Sequence, residues 1–199
     1  MTTHGRMEGK TAIVTGAGSG FGEAIATRFA QEGAHVVIAD IREDAAQQVA
    51  EDIGAMAVAL GVDVSTREGN QAMRDLAIDK FGRLDTFVLN AGVTHKNQSA
   101  LTVSEDDFDI ITVVNMKAMF HATQIMADDL AADGGGSIVA TASTAGLRPR
   151  PGLVWYNASK AWGINACKCL AVELAPRNIR VNSLCPVASP TAMLADFMG

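Results

Sequence analysis

The stretch TGAGSGFG at residues 15–22 is the strongest indication of the fold, because four of its eight residues are glycines and a helical pattern follows at once. It comes directly after a short apolar, β-branched run, TAIVT at residues 11–15. A glycine-rich turn between a strand and a helix removes side chains from the backbone and leaves the helix N-terminus open to an anion. The stretch therefore predicts a turn that holds phosphate groups.

The spacing of the glycines distinguishes this turn from a P-loop. The pattern is Gly16-x-x-x-Gly20-x-Gly22 after Thr15, and it lacks the Lys-Ser or Lys-Thr pair that a P-loop carries after its last glycine. We expect Gly16 to permit the turn, Gly20 to let the backbone approach a pyrophosphate, and Gly22 to let the helix pack near the sheet.

The rest of the chain alternates strand-like and helical segments. Such alternation indicates βαβ crossovers and a parallel sheet, and strands that are apolar on both faces indicate a sheet covered by helices on each side. The sequence predicts a single α/β domain over residues 1–199, a doubly wound parallel sheet. The strand-like segments are residues 11–16, 35–40, 56–64, 84–92, 136–143 and 179–186, and the longest helical patterns are residues 105–130 and 155–174.

Composition excludes several classes of protein. The net charge of −6 and the lack of any basic run argue against a nucleic-acid partner, and no apolar run approaches membrane-spanning length. Three cysteines argue against a disulfide framework and favour a reducing cytoplasm. The four histidines are scattered, so no metal site is expected.

Asp40 bears on the choice of cofactor. It ends the second strand-like segment about twenty residues after the glycine turn, where a carboxylate accepts hydrogen bonds from the adenosine ribose. A carboxylate there repels the 2′-phosphate of NADP, whereas Arg42, two residues later, partly offsets that repulsion. We expect NAD rather than NADP.

Tyr156 and Lys160 carry the predicted chemistry. They are four residues apart in a helical pattern and so share one face. A free phenol has a pKa near 10, and a nearby ammonium together with an oxidised nicotinamide ring favours the phenolate. Tyr156 is then suited to acid–base catalysis near neutral pH. Ser143 ends the fifth strand-like segment, where its hydroxyl can hold a substrate oxygen.

Taken together, TGAGSGFG, LNAG, Asn115, Ser143, YNASK and IRVNSLCP stand in the order and spacing of the short-chain dehydrogenase/reductase family, which the whole chain resembles. The resemblance implies a nicotinamide-dependent oxidoreductase whose catalytic residues are Asn115, Ser143, Tyr156 and Lys160. Asn115 would help to hold a water in a proton relay with Lys160. Lys160 would also bind the nicotinamide ribose.

The resemblance also implies the residues that contact the cofactor. Asp63 and Val64 match the segment against adenine, and Thr191 matches a contact to the nicotinamide carboxamide. The full set is Thr15, Gly16, Ser19, Gly20, Phe21, Gly22, Asp40, Ile41, Asp63, Val64, Asn90, Ala91, Gly92, Tyr156, Lys160, Pro186, Val187, Ser189 and Thr191.

The sequence departs from the family in three places. Leu89 replaces an asparagine, Val187 replaces a glycine, and family members commonly continue for about fifty residues beyond Gly199. Those residues usually supply the last strand and much of the substrate lid, so a truncated or partly observed chain is expected. Arg148 and Arg150 lie in a proline-stiffened loop, where they either attract an anionic substrate or belong to an ordinary surface loop.

Three functions follow. The first is an NAD(H)-linked enzyme that interconverts a secondary alcohol and a ketone, and its substrate could be a sugar, a steroid-like or cyclic alcohol, or a 3-oxoacyl thioester. The family implies a homo-oligomer, a dimer of dimers. The second is an NADPH-dependent 3-oxoacyl thioester reductase. The third is a dinucleotide-binding scaffold without turnover.

Overall fold

Six parallel strands form one sheet in the order β3-β2-β1-β4-β5-β6. The computed structural model describes residues 5–187 and 196–197. The order reverses between β1 and β4, which is the topological switch point of a doubly wound sheet. The α/β fold expected from the sequence is confirmed. The strands are β1 Thr11–Thr15, β2 His35–Asp40, β3 Ala57–Gly61, β4 Thr86–Leu89, β5 Ser137–Thr141 and β6 Arg180–Leu184.

Helices connect successive strands, as right-handed parallel crossovers require. The predicted helix over residues 105–130 differs from the observed one, because a π-helical turn, Val113–Lys117, separates α4 from α5. No helix in the described part of the chain is both long enough and apolar enough to cross a membrane. The helices are α1 Gly20–Gln31, α2 Glu43–Ile53, α3 Arg67–Phe81, α4 Glu105–Thr112, α5 Ala118–Ala132 and α6 Val154–Leu174.

The central strands β1 and β2 are buried on both faces, and alternate residues of one strand belong to different cores. Ile13 packs in the core that α3, α5 and α6 cover, whereas its neighbour Val14 packs in the core that α1 and α2 cover. This alternation follows from the two-residue period of a strand. It explains why the strand segments read as continuous apolar runs.

Thr15 joins the ends of β1 and β4 at the edge of the sheet where the switch point lies. Its side chain is buried. The hydroxyl donates to the carbonyl of Val88 at 3.2 Å and accepts from the backbone N–H groups of Asn90 and Ala91, each at 3.0 Å. One side chain therefore fixes the loop after β4 against the turn after β1.

We expect Thr15→Val to lower the free energy of unfolding by about 2 kcal/mol, because an isosteric apolar group leaves two backbone N–H groups without their acceptor. Chemical denaturation with urea measures the change. Thr15→Ser, which keeps the hydroxyl, is the matched control and should retain most of the stability. Equal losses in the two variants would show that the hydroxyl does not hold the loop.

Candidate active site

A cavity of about 770 Å³ opens at the carboxyl edge of the sheet, across the switch point. Its size is typical of a ligand pocket. It gathers most of the residues expected to bind a cofactor or to react, which lie at or after the ends of all six strands or on α6. The candidates on its wall are Gly16, Ser19, Gly20, Phe21, Asp40, Ile41, Asp63, Val64, Asn90, Ala91, Gly92, Ser143, Tyr156, Lys160, Pro186 and Val187.

Three candidates lie behind this wall rather than on it. Thr15 holds the loop after β4, Gly22 packs under the glycine turn, and Asn115 lies beneath Lys160 and Gly92. Each of them acts on the site through its neighbours. Ser189 and Thr191 lie outside the described residues.

The glycine turn depends on two close approaches of backbone. Gly16 has a φ of +61°, and a Cβ there would lie 2.9 Å from the Cα of Ala91. A Cβ on Gly22 would lie 2.1 Å from the carbonyl oxygen of Gly16. Any other residue at either position forces the turn, the loop and the helix apart.

The N-terminus of α1 faces the cavity. Its N-cap residue, Ser19, does not cap the helix with its side chain, and the Ser19 hydroxyl instead accepts a hydrogen bond from Arg42 at 3.0 Å. The first-turn N–H groups and the helix dipole together suit an anion.

Asp40 is held in place by backbone donors. One carboxylate oxygen accepts from the N–H of Gly18 at 2.9 Å and the other from the N–H of Arg42 at 3.0 Å. The Arg42 side chain also lines the cavity, with its Nε 3.7 Å from Asp40. The carboxylate is therefore fixed before any ligand arrives, with a cation beside it.

Tyr156 is almost fully buried at the base of the cavity, 4% exposed, with Leu153, Ala145 and Phe197 packed around it. Burial raises the pKa of its phenol, while the neighbouring Ser143 hydroxyl and the charge of Arg150 act in the opposite direction. The protein's own charges do not produce the lowering expected from the sequence, since burial is the larger effect.

Lys160 lies on the same face of α6, with its Nζ 5.7 Å from the centre of the Tyr156 ring. It donates to the carbonyl oxygen of Thr141 at 2.8 Å. Burial lowers the pKa of this ammonium to about 8. Gly92 leaves room for it, because a Cβ there would lie 3.1 Å from Nζ.

Asn115 sits in the middle of the π-helical turn, a feature often found at functional sites. Its amide exchanges two hydrogen bonds with the backbone of Val93, each 2.9 Å, and donates to Ser159 at 3.0 Å. It thus ties the loop after β4 to α6, one turn from Tyr156.

Sequence reasoning missed the apolar wall that faces Tyr156. Val93, Ile110, Val114, Leu153 and Phe197 line the cavity there, together with the charged residues Arg150 and Asp196. They come from separate loops and helices, so no motif announces them. Only Arg150 could be suggested from the sequence, by its proximity in sequence to Tyr156.

The residues present fit a dinucleotide. The glycine turn makes a backbone surface that a Cβ would fill, and the adjoining α1 N-terminus suits a pyrophosphate. Asp40 offers fixed hydrogen-bond acceptors at the end of β2, where a carboxylate binds the ribose of a dinucleotide. Within residues 5–187 and 196–197, no three His, Cys, Asp or Glu side chains form a metal-binding group. For the chain as a whole, the absence of a metal site stays a prediction.

We expect Lys160→Met to raise stability at pH 7 by at most about 3 kcal/mol, because it removes a buried cation whose pKa burial depresses. Between about pH 8 and 10.5 the folded wild type binds fewer protons at this residue than the unfolded chain, so wild-type stability rises with pH. The advantage of the variant is therefore largest below pH 8 and shrinks towards pH 10.5. Thermal unfolding across this range measures it.

Lys168→Met is the control, because Lys168 is an exposed lysine on the same helix. It should change the melting temperature little at any of these pH values. A Lys160→Met protein that melts below the wild type at pH 7, or a difference independent of pH, would contradict the burial argument.

Comparison with known proteins agrees with this geometry. The sequence profile of the family described as short chain dehydrogenase matches residues 10–198. The chain is 45% identical over 193 residues to 4-formylbenzenesulfonate dehydrogenase TsaC1/TsaC2 of Comamonas testosteroni, which covers 96% of this chain and 77% of that protein.

Two solved structures have the same fold. A 3-ketoacyl-(acyl-carrier-protein) reductase from Brucella melitensis, complexed with NADH, has a TM-score of 0.94 and 45% identity, over 96% of this chain and 81% of that one. A short chain dehydrogenase/reductase from Burkholderia phymatum, in complex with NAD, has a TM-score of 0.91 and 32% identity, over 96% and 69%. This chain therefore belongs to the short-chain dehydrogenase family of oxidoreductases.

Proposed function

We propose that this dehydrogenase uses NAD(H) to interconvert a small secondary alcohol and its ketone, with Tyr156 as general acid and base. The observation that carries the proposal is that Ser143, Tyr156 and Lys160 line the same cavity as the glycine turn and Asp40. Proton-transfer groups and a dinucleotide-binding surface thus share one space. When bound, the nicotinamide cofactor supplies or accepts the hydride.

The cofactor is held along the carboxyl edge of the sheet. The turn from Gly16 to Gly22 and the N-terminus of α1 bind the pyrophosphate, and Asp40 binds the adenosine ribose. Asp63 and Val64 face the adenine, with Ile41 at its edge. Residues 90–92 and 186–187 line the nicotinamide half.

Tyr156 and Ser143 act on the substrate oxygen. Ser143 orients that oxygen by hydrogen bonding, and its hydroxyl is already fixed, since it accepts from the N–H of Ala145 at 3.1 Å. In alcohol oxidation the Tyr156 phenolate takes the hydroxyl proton, and in ketone reduction the phenol returns it. Burial of the ring excludes water from this step.

Lys160 and Asn115 maintain the proton relay. A second cavity, of about 30 Å³, is lined by Asn115, Ser159 and Lys160 among others and has room for one water. Asn115 would hold a water there, and that water would exchange a proton with Lys160. Lys160, with its lowered pKa, remains mostly protonated at pH 7 and favours the phenolate of Tyr156.

Asp40 supports NAD over NADP. Its carboxylate is fixed by two backbone N–H groups and cannot turn away from a 2′-phosphate without breaking them. Arg42 offsets only part of this repulsion, because its guanidinium already donates to Ser19. Two solved relatives are complexes with NADH and with NAD.

We expect the wild type to bind NADH at least roughly tenfold more tightly than NADPH, and Asp40→Ser to reduce this ratio by roughly tenfold. Fluorescence titration of the nicotinamide measures both affinities. Asp44→Asn, which removes an equal charge from the first turn of α2, is the control and should leave the ratio unchanged. Tighter NADPH binding by the wild type would overturn the cofactor proposal.

We expect Tyr156→Phe to lose at least roughly a thousandfold in kcat while still binding NADH, because only the proton-transfer group is removed. Steady-state assays with secondary alcohols and ketones, and the same titration, measure the two properties. If the wild type shows cofactor binding but no turnover of any alcohol, ketone or 3-oxoacyl thioester, the scaffold function replaces the proposal.

The 3-oxoacyl thioester reductase remains the second candidate, since one solved structure at 45% identity is named as such an enzyme. It uses the same proton chemistry at Tyr156 but needs a long acyl thioester instead of a small ketone. Comparing kcat/KM for a 3-oxoacyl thioester with that for a small ketone distinguishes the two candidates.

We also propose a cytoplasmic homo-oligomer, a dimer of dimers. Large apolar side chains are exposed on α5 and α6, which we propose pair between subunits: Phe120 on α5, and Trp162 and Val172 on α6. Such surface is uncommon on a monomer. The three cysteines are free thiols, as a reducing compartment favours.

A further inference from the structure

Arg150 is an arginine on the wall of the catalytic cavity. It lies in the loop before α6, and its charge reaches the Tyr156 phenol strongly enough to act on the pKa of that group. Arg148, two residues earlier in the same loop, does not line the cavity, although both arginines are exposed. Only one of the two arginines therefore faces the substrate.

The loop holds Arg150 in a defined place. The buried Asn157 of α6 donates to the carbonyl oxygen of Arg150 at 2.8 Å. Two residues later, the carbonyl oxygen of Gly152 accepts from the N–H of Gln98 at 3.0 Å. These bonds fasten the loop to α6 on one side and to the loop after β4 on the other, so the guanidinium projects from a fixed backbone.

No counter-ion neutralises Arg150 in the described part of the chain. The arginines found in ion pairs there are Arg6, Arg28, Arg42, Arg74, Arg83 and Arg177. Asp196 lines the same cavity but forms no ion pair with Arg150 within residues 5–187 and 196–197. The guanidinium thus has its fork of donors available, and that fork matches a carboxylate or sulfonate.

Apolar side chains line the same cavity as Arg150 and the reacting groups. Leu153 and Phe197 pack on Tyr156, and Val93, Ile110 and Val114 line the same cavity. This combination suits a flat hydrocarbon body with the reacting oxygen at one end and a negative charge at the other.

We infer that Arg150 is the specificity-determining residue for an anionic substrate: an aryl or cyclic alcohol, or the matching ketone, with a carboxylate or sulfonate that pairs with its guanidinium. This inference rests on the proposed function, whose substrate class it narrows. On oxidation the carbinol C–H gives a hydride to the bound nicotinamide and the O–H proton passes to Tyr156, while the distant anion is unchanged.

The test compares two substrates that differ only in the anion, 4-(1-hydroxyethyl)benzoate and neutral 1-phenylethanol. We expect the wild type to prefer the benzoate in kcat/KM, and Arg150→Gln to lower this preference roughly tenfold, mainly through KM, because the ion pair exists in both ground and transition states. Arg148→Gln is the control and should leave the preference unchanged. Arg150→Glu should invert the preference.

The ratio of kcat/KM for the two substrates separates an effect on substrate recognition from an effect on catalysis. Removing the charge of Arg150 also raises the pKa of Tyr156 and shifts the pH profile of alcohol oxidation upward, but this affects both substrates equally. An equal loss with the benzoate and the neutral alcohol would overturn the inference. So would an equal effect of Arg148→Gln, which would indicate general attraction by the surface.

A binding measurement, which needs no turnover, tests this inference independently of the proposed function. Calorimetric titration of the NADH-loaded protein with 4-(1-hydroxyethyl)benzoate should give tighter binding than 1-phenylethanol, and Arg150→Gln should abolish the difference. If turnover is absent but this difference is present, the proposed function fails while the anion site stands. If the wild type binds both alcohols equally, the anion site is disproved.

Discussion

The site depends on one contact, the approach of the turn after β1 to the loop after β4. Gly16 brings its backbone against Ala91, and the buried hydroxyl of Thr15 accepts two hydrogen bonds from that loop and donates one to Val88 of β4. β1 and β4 are neighbours at the switch point, so this contact lies at the edge of the sheet where both strands end. The cavity opens at the same edge. The contact also sets Gly92 against Lys160, so a single backbone contact aligns the cofactor surface with the proton-transfer groups.

The catalytic residues are placed at a cost in stability. Lys160 is buried with its pKa depressed to about 8, and Tyr156 is buried with its pKa raised, so burial disfavours the charged form of each. Asn115 holds the surroundings together, since its amide joins the loop after β4 to α6. The π-helical turn around it presents the amide to both partners at once. Burial and fixed hydrogen bonds of this kind suit a site that must be arranged before its ligands arrive.

Much of the site could be predicted from the sequence because its parts are local. The glycine turn, Asp40 at a strand end and the four-residue spacing of Tyr156 and Lys160 each follow from a short pattern, and the structure brings them to one cavity. The π-helical turn was not predictable, because no local pattern marks it and the contacts of Asn115 with Val93 and Ser159 form only in the folded chain. The supporting position of Thr15, behind the wall, likewise depends on a strand more than seventy residues away.

The sequence alone is enough to predict the order of strands and helices along the chain, the glycine turn proposed to bind phosphate and the residues proposed for proton transfer, because each is encoded within a few neighbouring positions. Which side chains line the cavity follows only from the tertiary structure. Arg148 and Arg150 look alike in sequence, and only the packing of their loop against α6 and Gln98 directs one of them to the cavity. The apolar wall, too, is assembled from five separate segments. Such a surface depends on long-range packing, which no local pattern records.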